Sequence, residues 1–86
     1  MTRILLIDSD PGERLIQTSR LGDRGYEVHV ADTGARGIVE VRATPYEAIL
    51  LAAELESGAS AAEVCRRIKA VPELRSVPLI VFSRSR

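Results

Sequence analysis

Eighty-six residues are enough for one domain and no more. Twelve basic and twelve acidic side chains cancel, the pI is near 6.6, and no basic stripe or set of aromatic residues offers a nucleic-acid surface. An apolar fraction of 45% supports a packed core, while the lone Cys65 excludes an internal disulfide and, with the single His29, gives no zinc pattern.

No apolar run approaches the about 18–20 residues that a membrane helix needs. Met1 is followed almost at once by a strand-like segment, which leaves no room for a signal peptide. A cytoplasmic chain without membrane or nucleic-acid partners is therefore expected.

Ile4 to Ile7 are continuously apolar, as in a strand covered on both faces. Asp8-Ser9-Asp10-Pro11-Gly12 breaks that strand. Asp10 can cap a helix with Pro11 at its first position, where a missing N–H costs nothing. That helix runs to about Leu21, with Leu15, Ile16 and Leu21 as its apolar residues, and Gly22 and Gly25 suit its exit. Tyr26 to Ala31 alternate, which predicts a half-exposed edge strand with His29 at the surface.

Asp32-Thr33-Gly34 turns the chain into a second helix, about Ala35 to Ala43, which Pro45 stops. A third strand covers about Glu47 to Ala52. After the loop from Glu54 to Ser60, Ser60 can cap a third helix, with Glu63 at the capping-box position. Ala61, Val64, Cys65, Ile68 and Val71 follow helical spacing, and Pro72 ends the run. Cys65 reads as packing, and Arg66, Arg67 and Lys69 as a solvated face. Val77 to Phe82 form a fourth strand with Pro78 near its start.

Alternating strands and helices predict a parallel sheet with helices on both faces. Ligands in such sheets bind where the C-terminal strand ends lie side by side. No Gly-rich phosphate loop follows the first strand, and its acidic turn would repel phosphate, which argues against a nucleotide-binding enzyme. No nucleophile–base pair is visible.

Seven segments in order and spacing carry a resemblance over the whole chain. They are Ile4-Leu5-Leu6-Ile7-Asp8-Ser9-Asp10-Pro11, Gly25-Tyr26-Glu27-Val28, Ala31-Asp32-Thr33-Gly34, Ala48-Ile49-Leu50-Leu51, Glu63 to Lys69, Val77-Pro78-Leu79-Ile80-Val81-Phe82 and the following Ser83. The chain resembles the receiver domain of bacterial two-component response regulators. The resemblance implies a flavodoxin-like three-layer α/β sandwich, residues 1–86, with a parallel sheet of order 2-1-3-4 that stops before the fifth strand.

Receivers accept a phosphoryl group on an aspartate after strand three, beside a Mg²⁺ held partly by an acidic pair after strand one. A hydroxyl after strand four and a lysine after strand five bind the phosphoryl oxygens. Carried over residue by residue, Asp8 matches the first acid, Ser9 replaces the second, Ala53 replaces the phosphoacceptor and Ser83 keeps the hydroxyl. The lysine has no counterpart before Arg86. A methyl group is no nucleophile, so the resemblance implies a degenerate pseudo-receiver, similar to that of a social gliding motility protein. It implies no cofactor and no catalytic residue.

Asp8 and Asp10 are the only candidate metal ligands, and a loop hydrogen bond and a helix cap account for both. Glu54, next to Ala53, is expected to point away by strand alternation. The expected role is a phosphorylation-independent protein–protein interaction module of a signalling system. Its expected contact is the apolar edge strand through Val77, Leu79, Val81 and Phe82, joining a second copy or further domains. A truncated or engineered receiver fragment is the alternative.

Overall fold

Leu5, Leu6 and Ile7 are all without solvent exposure. A run buried on both faces belongs at the centre of a parallel sheet, and the computed structural model places it there. The structure describes residues 1–56 and 58–83. Ser57, in the loop after the third strand, and residues 84–86 lie outside the described residues.

Strand β1 (Arg3–Ile7) pairs in parallel with β2 (Glu27–Ala31) on one side and β3 (Ala48–Ala52) on the other. Strand β4 (Leu79–Phe82) pairs with β3, so the order is β2-β1-β3-β4. Helix α1 (Pro11–Asp23) leads from β1 to β2, α2 (Gly34–Ala43) from β2 to β3, and α3 (Ala61–Lys69) from β3 towards β4. The first crossover steps to one side of β1 and the next two step to the other. Right-handed connections therefore lay α1 on one face and α2 and α3 on the opposite face.

Register decides which residues meet those helices. Leu5 aligns with His29 and Ile49, and Ile49 with Leu79; Ile7 aligns with Ala31 and Leu51. Leu5, Ile7, Ala31, Ile49 and Leu51 form the core with Tyr46, Val41 from α2 and Val64 and Ile68 from α3, and Leu79 and Cys65 pack against it. Val64 and Ile68 are fully buried, each worth about 1.5–3 kcal/mol of apolar burial.

The α1 face is thinner. Helix α1 has no buried residue, and Leu15 and Ile16 are exposed. Leu6 and Ile4 are covered there, whereas Ile80 on β4 stays 53% exposed.

Helix ends follow local chemistry. Asp10 Oδ1 accepts from Glu13 N at the start of α1, with Pro11 in the first helical position. At the exit, Gly25 N donates to the Gly22 carbonyl and Tyr26 N to the Leu21 carbonyl. That pair of bonds needs a left-handed residue, and Gly25 supplies it with φ of 90°. Thr33 Oγ1 caps α2 through Arg36 N, and Ser60 Oγ caps α3 through Glu63 N.

Two readings of the third helix change. The Glu63 carboxylate pairs with Arg66 and Arg67, the second at 2.9 Å, and among the described residues no bond returns it to Ser60 N. Lys69 is not part of a solvated face: its Nζ donates to the carbonyls of Leu74, Arg75 and Val77. A short 3-10 turn, Pro72–Leu74, follows α3, and Lys69 ties it to the approach of β4.

Candidate functional site

The strand ends β1, β3 and β4 meet at one edge of the sheet, as the parallel topology requires. Asp8 follows β1 directly and has no solvent exposure. Its backbone N donates to Ala31 O, its Oδ1 accepts from Asp10 N at 3.0 Å, and its carbonyl accepts from Arg14 Nη1 at 2.8 Å. Asp8 thus organises the turn into α1, and Asp10 closes that turn as the helix cap. Ser9 Oγ accepts from Glu56 N at 3.1 Å, joining the β1 turn to the loop after β3.

The residue facing Asp8 is not the one expected. Ile7 aligns with Leu51 and Ala52 with Phe82, so one further step brings Asp8 abreast of Ala52. Ala52 is fully buried, whereas Ala53 is exposed, its backbone N donating to Phe82 O at 2.7 Å. A shift of one residue in a strand exchanges the two faces, so Ala52 and Ala53 cannot serve the same site.

Glu54 also departs from the expectation that it points away. Its Oε2 accepts from Ser83 Oγ at 2.7 Å. A carboxylate and the hydroxyl after β4 therefore meet at the strand-end edge.

Mg²⁺ demands hard oxygen ligands in near-octahedral geometry. The strand ends offer it the buried Asp8 carboxylate, the Ser9 hydroxyl that holds Glu56 N, the Glu54 carboxylate bonded to the Ser83 hydroxyl, and a methyl group. Among the described residues no group of three or more His, Cys, Asp or Glu is placed to hold a metal ion.

The four residues read as an interacting edge divide. Val77 precedes β4 and, with Leu79, packs against the core on the α3 side. Phe82 is half-buried. Val81 is 48% exposed, and the exposed apolar partner beside it is Ile80. Among the described residues no strand pairs with the outer side of β4.

A polar cluster at the opposite side of the sheet is not legible in the strand pattern. His29 aligns with Leu5 and so turns towards α2, not away from the molecule. It is half-buried; Nε2 lies 2.7 Å from Glu27 Oε2 and Nδ1 lies 3.0 Å from the Tyr46 hydroxyl. Tyr46 donates to Glu40 Oε1 at 3.0 Å, and Arg3 Nε donates to Glu27 Oε2 at 3.1 Å. The His29 bond, aided by Arg3, holds the Glu27 carboxyl below the usual carboxylate range. Burial and then the Glu40 carboxylate push the Tyr46 phenol up to about 12. The usable signal was parity: His29 and Ala31 share a face, and buried Ala31 is on the helix side.

No protein-family model matches the chain, and no curated protein matches it. Solved structures do. The chain is similar to the Thermotoga maritima response regulator TrrA, solved with Mg²⁺ and BeF, at 26% identity and a TM-score of 0.90, covering 99% of this chain and 71% of that one. The fold is the receiver fold through its fourth strand. The Vibrio cholerae chemotaxis response regulator CheY4 matches at 18% identity with a TM-score of 0.89, over 94% of this chain and 67% of the other. A complex of the histidine kinase ThkA with TrrA matches at 26% identity with a TM-score of 0.88, over 98% and 70%. The chain thus spans about two thirds of the length of these relatives. Among the described residues no helix is long and apolar enough to cross a membrane.

Proposed function

We propose that the chain is a phosphorylation-independent protein–protein interaction module of a two-component or phosphorelay-type signalling system, without enzyme activity and working in the cytoplasm. The observation that carries this reading is a methyl group abreast of Asp8. We read Ala52, which the strand register sets abreast of Asp8, as the residue in the phosphoacceptor position, and Ala53 beside it is no better nucleophile. The module is then a pseudo-receiver, of the kind found in the social gliding motility protein. With no attachment point, a phosphoryl group has no differential hold on two conformations and cannot shift their populations.

Partner binding falls to fixed surface. The complex of a similar regulator with its histidine kinase supports a protein partner in signalling. Strand β4 offers the contact: it is an edge of the sheet among the described residues, and with Ile80 and Val81 exposed it suits addition of a strand from a second copy or another protein.

Light scattering across a concentration series, followed by amide NMR with Mg²⁺ and beryllofluoride, tests both parts. A concentration-dependent mass that Val81→Lys abolishes, with no beryllofluoride response, supports the module. Localised shifts at Asp8, Ala52 and Ser83 on adding Mg²⁺ and beryllofluoride would overturn phosphorylation independence in favour of a residual metal-binding receiver.

A further inference from the structure

The cluster joining β2 to α2 has a proton count that depends on His29. Four contacts run in series: Arg3 to Glu27, His29 to Glu27, His29 to Tyr46 and Tyr46 to Glu40. Each hydrogen bond needs one proton. Arg3 Nε supplies one and the phenol supplies one. Carboxylates supply none, and Glu27 is kept ionised by His29 and Arg3. A neutral imidazole supplies one more, giving three protons for four contacts. The Glu27 carboxylate, 2.7 Å from Nε2, is the charged acceptor and takes the imidazole proton, so the Tyr46 proton serves either Glu40 or His29 Nδ1 and the other contact sets lone pair against lone pair. A protonated imidazole donates from both nitrogens and gives four protons for four contacts.

We propose that His29 is a proton-operated clasp: protonated, it locks α2 to the edge strand β2 through Tyr46, and deprotonated, it breaks that link at the Tyr46 hydroxyl. The imidazole suits the task because its ring is reachable by solvent, with its side chain 37% exposed. Tyr46, at the inner end, is only 7% exposed, so water cannot readily replace a lost partner there. The ring planes stand at 83° with centroids 5.4 Å apart, which holds the nitrogen on the hydroxyl. The charged and titratable groups around the imidazole are Glu27 on its own strand, Arg3 on β1, Glu40 on α2, and Tyr46 with Glu47 before β3; Glu47 is engaged by Arg3 N.

The sign follows from the count. The protonated ring completes all four contacts, so the clasp is closed when the imidazole carries both protons and opens when it loses one. His29 is the sole histidine, which makes the ring directly observable.

Imidazole ¹⁵N shifts and α2 amide protection factors, both followed from about pH 5.5 to about pH 8, test the clasp. At the acid end both ring nitrogens should show the protonated shift. Protection of the amides near Glu40 should fall by about fivefold at the alkaline end, the loss of one hydrogen bond. Tyr46→Phe and His29→Gln should each remove that pH dependence, the first without touching the ring itself. A single neutral tautomer at the acid end would overturn the proposal, as would an unchanged pH dependence in either variant.

Discussion

At the residue scale, the decisive positions are Ala52 and Tyr46. Ala52 is buried abreast of buried Asp8, whereas Ala53 is exposed. Ala52→Asp places a second carboxylate beside the first in a dry site, which disfavours the ionised pair. We expect a loss of about 2–3 kcal/mol in chemical denaturation, while Ala53→Asp changes stability by less than about 0.5 kcal/mol. Equal effects would place the two alanines in equivalent surroundings and contradict the register. Tyr46 makes a prediction at high pH. Its phenol is raised to about 12, so the folded chain favours the neutral form. That stability is fully present below about pH 10, the ordinary tyrosine value, and is lost as pH rises towards 12. Thermal melts should show a smaller alkaline loss in Tyr46→Phe. Glu27 acts in the opposite sense: its carboxyl is lowered, so its contribution is present above about pH 4.5 and lost as pH falls through the lowered value.

At the scale of elements, α2 lies close to β1 and to α3 because two of its residues lack a side chain. A Cβ on Gly37 would land against Ile7 Cδ1, and one on Gly34 would lie 2.5 Å from Val64 Cγ2. Ile7 is fully buried and cannot yield cheaply. Gly37→Ala gains about 1 kcal/mol of helix propensity but forces overpacking that costs about 1–3 kcal/mol. The net expectation is a destabilised protein, and a raised melting temperature would show that α2 can lift from β1. Ser60→Ala removes the cap of α3 and should cost about 1 kcal/mol by denaturant titration. The elements themselves were legible: the run Ile4 to Ile7, the Asp10-Pro11 start, the Ser60 cap and the Pro72 stop each act within a few residues. The facing of β2 was not. Alternation says that two faces differ, but not which one a helix will cover, and α2 covers the face of His29.

At the scale of the whole molecule, protection should follow layering. Strands β1 and β3 carry most of the fully buried side chains, whereas α1 buries none and β4 keeps two apolar residues exposed. Native-state hydrogen exchange should therefore show the slowest amides in β1 and β3 and faster, sub-global opening in α1 and β4. Uniform protection across all four strands would mean that the outer side of β4 is covered in solution. By itself, the sequence determined the order of strands and helices and the parallel sheet. Those depend on local periodicity, caps and residue identity, which the chain states directly. Only the tertiary structure decided that Ala52 stands by Asp8, that Glu54 reaches Ser83 and that His29 and Tyr46 meet. Each of these is a register or a meeting of segments distant in sequence. A step of one residue in a strand, invisible in composition or spacing, reverses the face on which a side chain acts.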